Sequence, residues 1–118
     1  MKENIIQDKS YAFSLRVVKL YKYFIANRIE YVLIKQLLRS GVSIGANIEE
    51  AIGAQTRKDF IAKLNISYKE ARETKYWLRL LRDSEFLKPN EANSLLIDIE
   101  EILKILAKIL TTSKEPNQ

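Results

Sequence analysis

Apolar residues recur along this chain at alternating steps of four and three, interrupted in three places by short polar stretches, and this pattern predicts four helices. In the first, Phe13, Val17, Leu20 and Phe24 form one seam, with Leu15, Val18 and Ile25 widening it. We read this helix as 10–27, with Ser10 as its N-cap and Asp8 as a competing start. The second, 31–53, is built differently. Leu33, Leu37, Ser40, Ile44, Asn47 and Ala51 make one seam, and Ile34, Leu38, Gly45, Ile48 and Ile52 make another beside it. Two adjacent seams describe a broad buried arc. Gly41 and Gly45 each cost about 1 kcal/mol of helix propensity relative to Ala, so close approach of a neighbouring helix is expected there.

Gly53 suits a left-handed terminator, and Thr56 with Asp59 three positions on resembles a capping box. The third helix, 57–84, carries the most regular seam: Phe60, Leu64, Ser67, Ala71, Thr74, Leu78 and Leu81. Its length is about 40 Å at 1.5 Å per residue. After the turn at Pro89, a fourth helix over 90–111 presents Leu95, Ile99, Ile102, Leu106 and Ile109, flanked by Leu96, Leu103 and Leu110. The polar tail 112–118 is expected to fray. Four helices with short connections and broad apolar arcs imply one domain over 1–118, an all-α antiparallel up-down-up-down bundle.

Composition narrows the function. The 118 residues include neither Cys nor His. That removes thiolate metal sites, disulfides and the commonest general base, so the expectation is a protein that is not an enzyme and has no cofactor and no metal. Glu49, Glu50, Glu70 and Glu73 are the remaining carboxylate candidates for a magnesium site, but their spacing is that of ordinary helix-surface glutamates. No apolar run reaches the roughly 20 residues of a membrane span, and the charged start MKENIIQDKS is unlike a signal peptide. A soluble cytoplasmic protein without membrane contact is expected.

The net charge of +5 is uneven: +3 over residues 1–30, zero over 31–55, +4 over 56–88 and −2 over 89–118. Arg16, Lys19 and Lys22 lie off the first seam, with Tyr11, Tyr21 and Tyr23 beside them, and Arg72 and Arg79 lie off the third. These five cations are the candidate contacts to RNA or DNA phosphates. The tyrosines are read first as core edge or subunit contact. Ala62, Ile66, Tyr76 and Leu80 fall on the third helix away from its seam, where solvent would be expected. They are the candidate homo-oligomer interface. On the second helix Arg39, Ser43, Asn47 and Glu50 follow at four, four and three. With Ser67 opposite, they are expected to form a structural polar network that fixes helix register.

The run Arg39-Ser40, Ser43-Ile44, Asn47-Ile48 and Glu50, followed by Phe60, Leu64 and Tyr68-Lys69-Glu70-Ala71, resembles the small bacterial four-helix-bundle proteins associated with intervening sequences in 23S ribosomal RNA genes. The resemblance extends over nearly the whole chain, most strongly Gln36 to Asp83. It implies an antiparallel bundle commonly assembled as a ring of five subunits, with no established enzymatic activity. A related branch includes the accessory variability determinant of diversity-generating retroelements, a basic pentamer that binds nucleic acid and a reverse transcriptase. Members often have Ala or Gly after the acidic position, whereas this chain reads Glu49-Glu50-Ala51-Ile52-Gly53. Two roles follow as expectations: an oligomeric nucleic-acid-binding bundle, or an adaptor that presents Tyr76 and Leu80 to a partner protein.

Overall fold

The computed structural model describes the backbone of residues 2–113 and side chains from Ile5 onward. It contains four helices, α1 (Lys2–Ala26), α2 (Val32–Ile52), α3 (Arg57–Asp83) and α4 (Pro89–Ser113), and no strand among the described residues. Its extents are 51 × 23 × 21 Å, about two helix diameters across. Packing runs from α1 to α2, α2 to α3, α3 to α4 and back from α4 to α1, with no close backbone approach across either diagonal among the described residues. The α1–α4 closure is the slightest of the four. α1 and α3 therefore occupy opposite corners of the bundle. No helix among the described residues is long and apolar enough to cross a membrane.

The seams meet at the centre. Phe13, Val17 and Phe24 of α1, Ile34, Leu37, Ile44 and Ile48 of α2, Leu78 and Leu81 of α3, and Ile99, Ile102 and Leu106 of α4 are fully buried. Gly41 admits α1 closely: a methyl group added there would stand 3.1 Å from both Val17 methyls. At Gly45 the same addition would meet Ser14 Oγ at 3.4 Å and Ser10 O at 3.5 Å, an ordinary contact.

Several expectations need correction. α1 begins at Lys2 rather than at Ser10. Ile6, one heptad before Phe13, is buried and extends the seam, while Ser10 sits inside the helix and donates to the Gln7 carbonyl at 3.0 Å. Leu15 and Val18, placed on the core face from sequence, point outward. α4 continues to Ser113, and the rest of the expected tail, 114–118, lies outside the described residues.

The helix ends follow local chemistry. Thr56 accepts from the Asp59 amide at 3.1 Å, capping α3. Glu30 caps α2 instead of Tyr31: its carboxylate accepts from the amides of Val32, Leu33 and Ile34 at 2.8, 3.0 and 2.9 Å. These are three of the four amides that a helix start leaves unpaired. Gly53 has φ −85° and is not left-handed. The left-handed positions belong to Arg28 (φ 53°) and Glu85 (φ 67°). Each ends its helix in a Schellman arrangement, with Ile29 N–H donating to Phe24 O and Phe86 N–H to Leu81 O, both at 3.0 Å.

Candidate nucleic-acid interface

Four of the five cations singled out from sequence line two clefts, one on each side of α4. Between α3 and α4 runs an open groove lined by Tyr68, Arg72, Lys75, Tyr76, Arg79 and, from α4, Glu100, Leu103, Lys104 and Ala107. Tyr68, Arg72, Tyr76 and Arg79 share this side because they follow at four, four and three residues on one helix. Lys75 and Glu100 pair across the groove at 3.2 Å. Arg72, Arg79 and Lys104 make no ion pair among the described residues, so their charge is directed at solvent.

The second cleft lies between α1 and the start of α4, where the bundle closes least tightly. Arg16, Lys19, Tyr23, Phe86 and Lys88 are on its walls. Arg16 is engaged within the fold, donating to Asp98 at 2.6 Å and to Ser94 Oγ at 3.0 Å. Lys19 and Lys22 are exposed. The α1 cations are thus not brought together with Arg72 and Arg79. At the end of α3, Arg82 is also committed, to Asp83 at 2.8 Å and to Asn93 at 3.0 Å. Its hydrogen bond holds the exposed Asp83 carboxyl below the usual carboxylate range.

Of the polar residues expected to form a network on α2, Arg39 reaches across to α3, while Asn47 bonds within its own helix. Arg39 donates to Glu70 at 3.4 Å and also to Glu73. Glu50 is exposed, and Asn47 donates to the Ser43 carbonyl of its own helix at 2.9 Å. The buried polar layer consists of Ser67, which donates to Ile44 O at 2.9 Å, and of Thr74, 2.9 Å from Ser40 Oγ and 2.8 Å from Glu70 O. Ser40 and Thr74 are seam positions of α2 and α3, and their pairing depends on the register of the two helices. No buried side-chain nitrogen or oxygen among the described residues lacks a partner.

The carboxylates do not converge. Glu70 and Glu73 face Arg39, whereas Glu49 accepts from Gln7 at 2.8 Å, and no acidic cluster able to hold a metal occurs among the described residues.

On the outer side of α3, Ala62 is exposed, Ile66 is 41% and Tyr76 53% exposed, and Leu80 is half-buried. Tyr76 is on the groove side as well. Ile66 stands one turn before Glu70, which faces α2, so it lies around the helix from the groove. At the opposite corner, Tyr11, Leu15 and Val18 form a second apolar strip on α1, 64%, 55% and 37% exposed. Their spacing of four and three is as regular as that of the core seam. Periodicity alone does not say which of two such seams faces inward.

Comparison with known proteins places this arrangement. No characterised protein in the curated set matches the chain. A solved structure from Bacteroides thetaiotaomicron VPI-5482, described as a protein of unknown function from the S23 ribosomal protein family, is 50% identical. It is matched over 94% of this chain and 99% of its own, with a TM-score of 0.91. The family described as 23S rRNA-intervening sequence protein matches residues 2–108, the whole bundle up to the last turns of α4, and the chain belongs to that family.

Proposed function

We propose that the protein is a non-enzymatic, cytoplasmic, homo-oligomeric bundle of up-down-up-down topology that binds RNA or DNA through its basic helix surfaces. The observation that carries the reading is the set Arg72, Arg79 and Lys104, three cations on one groove without ion-pair partners among the described residues. Lys19 and Lys22 add positive charge on α1. A single subunit offers few phosphate contacts, and several copies multiply them, so avidity converts weak local attraction into useful affinity.

The two apolar strips support assembly. Tyr11, Leu15 and Val18 on α1 and Ala62, Ile66 and Leu80 on α3, with Tyr76 at the border, lie at opposite corners of one bundle. Two different faces on opposite sides favour head-to-tail association, which closes into a ring when the rotation allows it. A ring of five is the form we propose.

Fluorescence anisotropy with labelled RNA and DNA tests the binding. Affinity is expected to fall steeply between about 50 and about 200 mM salt and to vary little with sequence. No binding to any nucleic acid near the lower salt would overturn the proposal.

An adaptor role is the second reading. It is favoured by Ile97, 70% exposed next to Leu96 on the outer side of α4. Protein partners isolated from extract and retained after nuclease treatment would support it.

A further inference from the structure

We propose that the α3–α4 groove seats a single strand of nucleic acid, with Tyr68 and Tyr76 stacking bases and Arg72, Arg79 and Lys104 holding phosphates. The inference rests on the nucleic-acid reading above and specifies which form is bound and where.

Three features carry it. Along α3, Tyr68, Arg72, Tyr76 and Arg79 alternate ring and cation at intervals of about 4.5 to 6 Å, the rise of three or four helical residues. Alternating aromatic platforms and cations are the arrangement that holds unpaired bases and their backbone together, because every base has a face to stack.

The principal ring is held in place. Tyr76 and Trp77 pack edge to face with centroids 5.0 Å apart and planes at 71°. Trp77 Nε1 donates to Glu73 at 2.9 Å, and Glu73 is paired with Arg39 of α2. A ring positioned by this chain of contacts loses little freedom when a base stacks on it. Yet it stays half-exposed, which a ring serving only the core would not.

The groove also has the dimensions and charge for one strand. Neighbouring helix axes lie about 8–10 Å apart, so the cleft between them excludes a duplex, whose bases are in any case hidden from Tyr76. Glu100, the carboxylate in the lining, is neutralised by Lys75.

The test compares a labelled single strand of about 20 nucleotides with the same sequence as a duplex, by anisotropy on the full chain. The single strand is expected to bind at least about tenfold more tightly. Tyr76→Ala should weaken it by about fivefold or more while leaving the duplex unchanged, and Tyr76→Phe should retain wild-type affinity. Arg72→Gln combined with Arg79→Gln should flatten the logarithmic salt dependence by about 1.4, two single-strand phosphate contacts at about 0.7 each. All these side chains are wholly or partly exposed, and thermal unfolding and light scattering on each variant verify that fold and assembly are intact. Equal affinity for both forms with no effect of Tyr76→Ala would overturn this inference and leave the broader binding proposal standing. Absence of any binding by the wild-type chain would overturn both.

Discussion

Thr74 Oγ1 stands 2.9 Å from Ser40 Oγ in the middle of the α2–α3 contact, with both residues fully buried. Thr74 also has the Glu70 carbonyl within 2.8 Å, whereas the other acceptor near Ser40, Leu37 O, is 3.4 Å away. The two hydroxyls are therefore unequal. Thr74→Val preserves shape but removes the better-connected group, and a loss of about 1–2 kcal/mol is expected. Ser40→Ala should cost less, since Thr74 keeps the carbonyl of its own helix. The double variant S40A/T74V should be more stable than the sum of the two losses implies, because no hydroxyl is left to satisfy. Urea denaturation of the four proteins measures this directly, and strictly additive losses would show the hydroxyls to be independent.

The two glycines of α2 should respond in opposite directions. At Gly45 an added methyl group meets only ordinary contacts, so Gly45→Ala is expected to raise stability by about 0.5–1 kcal/mol through helix propensity. At Gly41 the methyl would press on Val17, which is itself wholly buried and β-branched and so has little room to yield. Gly41→Ala should gain nothing or destabilise. Paired thermal melts decide the point, and equal stabilisation by both substitutions would contradict the close approach of α1 at Gly41.

What was legible in the sequence depended on whether the cause was local. The start of α3 follows from Thr56 and the turn before α4 from Pro89, because a cap or a missing amide acts within one turn. The start of α1 was less legible: Ser10 has the chemistry of a cap, and the signal for an earlier start is the single residue Ile6, one heptad before Phe13. Glu30 has an unusual capping geometry that residue type does not announce. Arg39 was grouped with Glu50, but eleven residues on one helix separate them by about 16 Å, and its partners came from α3. Arg72, Arg79 and Tyr76 were each identifiable as candidates. Their meeting with Lys104 was not, because that apposition is set by how α3 and α4 dock.

Arg28 and Glu85 hold left-handed backbone conformations in which a side chain is strained and glycine is not. Neither side chain makes a hydrogen bond or ion pair among the described residues that would offset the strain. Arg28→Gly and Glu85→Gly are each expected to stabilise the fold by about 0.5–1 kcal/mol, and the effects should add, since they lie in different connections. Raised urea midpoints with unchanged slopes would establish this, whereas a loss of stability would indicate that these side chains contribute to the turns.

The proposed head-to-tail assembly makes a prediction that self-matched faces do not. Leu15→Glu should disable the α1 strip and leave the α3 strip usable, while Ile66→Glu does the converse. Both residues are substantially exposed, so each variant should fold with a stability change within about 0.5 kcal/mol. Each alone should run as a smaller species than the wild type in size exclusion with light scattering. Mixed together they should form a heterodimer and grow no further, because the intact α3 strip of the first meets the intact α1 strip of the second and the remaining faces are both blocked. If instead the α1 strip paired with its own copy, Ile66→Glu would remain a homodimer and mixing would add nothing. A heterodimer that stops at two chains is therefore the result that separates a ring-forming contact from a two-fold one.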